Sequence, residues 1–175
     1  VNIVAFAASN STKSINKKLA SYAASLVNDA SVEVLDLNDY ELPLFSTDKE
    51  AELGQPELAQ HFLDKLAGSD AIIVSFAEHN GSYTAAFKNL FDWCSRISRD
   101  VYQNKPVLVL ATSPGAGGAA NILSAAANSM PHFAGDVKGS FSLPSFYDNF
   151  DVDSNKVKDA SLAAQLKEQV DKLAS

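Results

Sequence analysis

The chain contains a single cysteine, Cys94, so no disulfide can form within it. Its 175 residues need none. A domain of that size buries roughly 70% of the surface its unfolded chain exposes, which supports a core without a covalent or metal staple. The length is expected to make one domain, residues 1–175, with little room for a second. Metal ligands are also missing. His61 and His132 have no Cys or carboxylate partners at ligand spacing, so no metal site is expected. No apolar run nears the ~20 residues of a membrane helix, and Val1–Phe6 reads as a strand rather than a targeting segment. These absences lead to the expectation of a soluble chain in a reducing, cytoplasmic compartment with no membrane partner. Positive charge is scarce as well: 14 Lys and Arg stand against 21 Asp and Glu, for a net charge of −7. The basic residues are scattered, and the adjacent Lys17–Lys18 reads as a solvated helix face, which argues against a nucleic-acid partner.

What is present is an alternation of short apolar runs with longer helical periodicity. Val1–Ala7, Ser31–Leu37, Asp70–Ala77, Pro106–Ala111 and Gly139–Leu143 read as strands. Helices are expected over Ser14–Val27, Pro56–Ala67, Thr84–Ser98, Ala119–Ser129 and Ser161–Ala174. Residues 38–55 read as a long polar connection, and residues 133–150 as largely irregular. Strands alternating with helices imply parallel crossovers with helices on both faces. The expected fold is a doubly wound, flavodoxin-like five-stranded parallel sheet of order 2-1-3-4-5. Ligands bind such sheets outside the carboxyl ends of the strands, at the switch point between strands one and three.

The loops at that edge are the most unusual in the chain. The first, Ala8–Asn16, carries Ser9, Asn10, Ser11, Thr12 and Ser14 before the helix, Asn16 after its start, and no glycine. Without glycines it is neither a Rossmann turn nor a Walker loop. Hydroxyls crowded at a helix N-terminus suit a terminal phosphate monoester, whose charge the helix dipole favours. A plain helix cap would need only one of them. The second loop, Phe76–Tyr83, presents Glu78, His79, Asn80 and Gly81 in succession. An Asn-Gly turn accounts for two of these and leaves Glu78 and His79 unexplained. The third, Ala111–Ala119, has Gly115, Gly117 and Gly118, which let a backbone pass close to a ligand.

In these stretches the chain resembles the NADPH-dependent FMN reductases of the flavodoxin-like superfamily, which include quinone, azo-dye and chromate reductases. Their phosphate loop, Gly-Ser-x-Arg-x-x-Ser-x-Asn, is matched by Ala8–Asn16, with Ser11 where the family has Arg. Their Pro-Glu-Tyr-Asn and Lys-Asn-x-x-Asp-Trp segments are matched by Ala77–Asn80 and Lys88–Trp93, and their Leu-Pro-Leu by Leu42–Leu44. Ala77 replaces the family's Pro, and His79 its Tyr. The resemblance runs over roughly residues 1–130. It implies FMN and NAD(P)H as cofactors, with the FMN phosphate held by Ser9, Ser11, Thr12, Lys13, Ser14, Ile15 and Asn16. The ring would lie between Glu78, His79, Asn80 and Gly81 on one side and Ser113, Pro114, Gly115 and Gly117 on the other. Hydride chemistry then belongs to the cofactor, so no catalytic residue is nominated. His79 is open as a substrate-positioning group, a proton carrier or a passive neighbour. The resemblance also implies a small-molecule electron acceptor and a homodimer or homotetramer, with residues 39–54 or the helix around Trp93 as the contact. A flavodoxin-like electron carrier and a fold-retaining interaction protein with weak FMN binding are the alternatives. Cys94 is expected to be buried and inert, and Lys88 with Asp92 a surface ion pair.

Overall fold

Apolar residues on successive strand positions must be covered on both sides, and two helical layers do this. A computed structural model describes residues 1–174. Five parallel strands, β1 (Asn2–Ala8), β2 (Ser31–Leu35), β3 (Ala71–Phe76), β4 (Pro106–Thr112) and β5 (Asp136–Leu143), form one sheet of order β2-β1-β3-β4-β5. The expected topology is the one observed. Alternation along β1 divides the core: Val4, Phe6 and Ala8 face one layer, Ile3 and Ala5 the other. The first layer is covered by α3 (Glu57–Ala67), α4 (Ala85–Ile97) and α5 (Ala120–Ser129), through Phe62, Leu90, Trp93 and Ile122. The second is covered by α1 (Ile15–Ser25) and α7 (Ala160–Asp171), through Leu19, Ala23, Leu166 and Val170.

Several boundaries differ from the sequence expectation. β2 ends at Leu35, because Asp36 accepts a hydrogen bond from Asn38 N–H at 2.9 Å and starts a short 3-10 turn over Leu37–Tyr40. The polar connection contains a further helix, α2 (Thr47–Leu53), with no buried residue of its own. Its start is capped by Ser46, and Glu50 takes a two-pronged ion pair from Arg96 on α4. β5 starts at Asp136, ahead of the expected Gly139, and a register shift at Val107/Leu108 accompanies its pairing with β4. Beyond it lie the one-turn α6 (Phe146–Asn149) and a small antiparallel pair, β6 (Phe150–Asp151) with β7 (Lys156–Val157). Phe146 and Phe150 stack at 4.7 Å and bury into the layer of α1 and α7, which fixes this excursion beside the sheet edge. Among the described residues no helix is long and apolar enough to cross a membrane.

The register brings the loop-bearing ends level. Ala8 pairs with Phe76, and Phe76 with Ala111, so the loops after β1, β3 and β4 leave one edge side by side.

Candidate functional site

The first loop is a chain of hydroxyl-anchored turns. Ser9 Oγ accepts from Ser11 N–H at 3.1 Å, Ser11 Oγ from Lys13 N–H at 3.3 Å, and Ser14 Oγ from Lys17 N–H at 3.1 Å. Each hydroxyl is used as an acceptor and keeps its O–H for another partner. Ser14 is the cap of α1, yet the N–H groups of Ile15 and Asn16 in the first turn have no acceptor among the described residues. Asn38 holds the loop from the side by donating to Asn10 O at 2.9 Å. Thr12 and Lys13 are exposed.

Asn16 departs from its expected side-chain role. Its carboxamide turns into the sheet, where Nδ2 donates to Thr112 O at 3.2 Å and Oδ1 accepts from Ser75 Oγ at 2.7 Å and Thr112 N–H at 3.1 Å. The residue is 3% exposed. It therefore links the start of α1 to β3 and β4, and only its backbone N–H is left to meet a ligand.

In the second loop, His79 and Ser82 exchange two backbone hydrogen bonds, at 3.0 and 3.1 Å, around Asn80 (φ 53°) and Gly81 (φ 77°). Positive φ at both central residues is the tight hairpin turn that Asn-Gly favours. His79 is exposed. Thr84 caps α4 and donates to Ala8 O at 2.9 Å, so β1 and α4 share one hydroxyl. Glu78 reaches across to the first turn of α5, just after the third loop, where its Oε1 accepts from Ile122 N–H at 2.9 Å.

The third loop is pinned from the β5 side. Ser142 Oγ donates to Gly118 O at 2.7 Å, and Ser145 N–H to Gly115 O at 2.9 Å. Gly118 (φ 58°) admits no side chain, since a Cβ there would collide with Ser142 and the Pro144 backbone. At Gly115 and Gly117 the corresponding space is open, with nothing within 4 Å.

These loops enclose a cavity of about 270 Å³ at the carboxyl ends of β1, β3 and β4. Of the residues expected at a site, Ser9, Ser11, Lys13, Ser14, Ile15, Asn16, Glu78, His79, Ser113 and Pro114 line it. Thr12, Asn80, Gly81, Gly115 and Gly117 belong to the same loops without lining it. Three lining residues were not anticipated: Ala77, Thr112 and Tyr147. Tyr147 comes from α6, in the stretch whose sequence carries no periodicity, and no signal marked it apart from its being aromatic. A larger groove of about 870 Å³ runs along the outer face of α1 and shares Lys13, Ser14, Ile15 and Tyr147 with the cavity. It touches neither the second nor the third loop, so the smaller cavity is the one built from all three unusual segments. Lys13 is the sole Lys or Arg in the cavity lining, because Lys17 turns to Asp36 at 3.5 Å. No group of three or more potential metal ligands exists among the described residues.

The downstream motif serves the framework. Asn89 accepts from Phe45 N–H at 2.8 Å and donates to Leu42 O and Pro43 O, both at 3.1 Å, while Trp93 Nε1 donates to Pro43 O at 2.7 Å. Two residues four apart on α4 thus clamp the Leu42–Phe45 segment. Trp93 is fully buried, so only other residues of its helix, such as Lys88 and Arg96, reach the surface; Leu44 is 80% exposed. Lys88 and Asp92 form the expected ion pair at 2.8 Å. Cys94 is buried, its thiol pKa pushed up to about 12 by desolvation, so it stays protonated and unreactive at neutral pH.

A family model for NADPH-dependent FMN reductases matches residues 1–148. The chain belongs to that family. A 2-hydroxy-1,4-benzoquinone reductase of Burkholderia sp is 37% identical over 109 residues, 61% of this chain and 57% of the relative. A quinone reductase of Pseudomonas putida is 33% identical over 106 residues, 59% of this chain and 55% of the relative. These matches therefore span little more than half of each relative's own length. Over nearly the whole fold, the chain resembles FerB, a flavoenzyme NAD(P)H:(acceptor) oxidoreductase from Paracoccus denitrificans. The TM-score is 0.77 at 27% identity, covering 98% of this chain and 94% of that one. The family's motif positions include the Asn89–Trp93 clamp and the Asn16 bridge, so much of the motif holds the loops in place.

Proposed function

We propose that the chain binds FMN in the three-loop cavity and passes hydride from NADH or NADPH to a small acceptor of the quinone or flavin class. The observation that carries this is the first loop: free hydroxyl hydrogens on Ser9, Ser11 and Ser14, unpartnered N–H groups on Ile15 and Asn16, and the Lys13 charge converge on one cavity wall. That donor set fits a phosphate monoester. The open space beside Gly115 and Gly117 fits the close approach of a flat ring. When bound, the flavin supplies the hydride chemistry. The chain's own work is to hold the phosphate at loop one and to wall the ring with the Glu78–Gly81 turn and the Ser113–Gly117 backbone. His79, exposed at the rim, is the side chain best placed to meet an incoming substrate. No side chain is assigned as catalytic.

Family membership and the activities named for the Burkholderia and Paracoccus relatives support this reading. A homodimer or homotetramer in the cytoplasm belongs to the same proposal, with residues 39–54 as the contact and exposed Leu44 at its centre. The test is steady-state NAD(P)H oxidation with a panel of benzoquinones, with and without added FMN. Expected is turnover that requires FMN and gives parallel double-reciprocal lines, the pattern of a carrier loaded and unloaded in turn. Rates no faster than those of free FMN sink the proposal.

A further inference from the structure

The geometry points to Glu78 as a positioning residue that locks the two ring-flanking loops into one unit and biases the charge the cavity tolerates. This rests on the FMN reading above. α5 starts poorly by itself: its cap position is Ala119 at φ 57°, with no side-chain hydrogen bond, preceded by Gly115, Gly117 and Gly118. Within the loop Ala120 N–H finds Gly117 O at 3.1 Å, which leaves Ile122 N–H in the first turn without a local acceptor. Glu78, 44 positions earlier, supplies the missing acceptor to Ile122 N–H at 2.9 Å. Its own backbone is held just ahead of the closed His79–Ser82 hairpin. On the far side, Ser142 and the Ser145 N–H hold Gly118 and Gly115. The third loop is thus anchored at both walls, and Glu78 is the anchor that comes from the second loop.

The charge has its own effect. A carboxylate at the start of α5 offsets the positive end of that helix dipole. Without it, the dipole would favour added negative charge in the cavity. Reduced flavin carries more negative charge than oxidised flavin, so Glu78 disfavours the reduced form. Gln at this position keeps an acceptor oxygen and drops the charge; Ala drops both.

Wild-type protein, Glu78→Gln and Glu78→Ala are compared as apoprotein by amide hydrogen exchange at Ile122, then by affinity for oxidised and reduced FMN. Glu78→Ala is expected to speed Ile122 exchange and weaken oxidised FMN binding, each by about tenfold, the loss of one half-buried charge-assisted hydrogen bond. Glu78→Gln is expected to restore both while raising reduced-over-oxidised affinity about tenfold, equivalent to ~30 mV for a two-electron couple. Wild-type behaviour in Glu78→Ala overturns the inference. So does equal loss in both variants with an unchanged affinity ratio, the signature of simple fold damage. If wild-type protein takes up no FMN, the functional reading fails first and this role falls with it.

Discussion

At the residue scale, short polar side chains divide between holding the loops and facing the cavity, and the division decides what each substitution does. Asn16 is the clearest case. Its carboxamide satisfies a buried hydroxyl on Ser75 and both backbone groups of Thr112. Asn16→Ala leaves them unpaired, and the expected loss is about 3 kcal/mol of stability, seen as a lowered urea midpoint with an unchanged slope. Ser11 is the opposite case, exposed, with its hydroxyl bonded only to Lys13 N–H at 3.3 Å. Ser11→Arg adds a charged, forked donor beside Lys13 and is expected to tighten FMN binding about tenfold at low salt, less as salt rises. Fluorescence quenching of FMN measures it, and an affinity that does not move contradicts the assignment of this loop to phosphate.

At the element scale, the fold is held where motif residues cross between segments. Asn89→Ala frees Phe45 N–H, Leu42 O and one donor to Pro43 O. The expected result is faster amide exchange confined to residues 42–45 and a loss of about 2 kcal/mol, with Trp93→Phe giving a smaller loss of the same kind. How much of this was legible follows the same physics. β1, β3 and β4 are buried on both faces, so their apolar runs declared them, and sheet order followed from the alternation of strands and helices. α2 buries nothing and is held by a cap and the Glu50–Arg96 pair, so no periodicity marked it. Glu78 and Asn16 stood out in sequence, but their partners lie 44 and 96 positions away, a distance no local pattern spans. Tyr147 reaches the cavity because the stacked Phe146 and Phe150 seat the excursion after β5, a tertiary event.

At the scale of the whole molecule, buried titratable groups set the alkaline limit. Burial raises the Cys94 thiol from 9.0 to about 12, and raises the Tyr102 phenol in the same direction. Between pH 9 and 12 the unfolded thiol has lost its proton and the folded one has kept it, so stability falls as pH rises through that window. The Cys94 share is about 4 kcal/mol. Cys94→Ala is expected to flatten that part of the curve in denaturant melts at stepped pH, and an identical slope contradicts it. The proposed function requires the three loops together to make an FMN site served by a nicotinamide. Anaerobic absorbance titration of the purified protein, first with FMN and then with NADPH or NADH, tests this. A shifted flavin spectrum that bleaches far faster than free FMN on nicotinamide addition is the predicted result. FMN that binds without accelerated bleaching would contradict the reductase and leave an electron carrier, and no spectral shift at all would contradict the site itself.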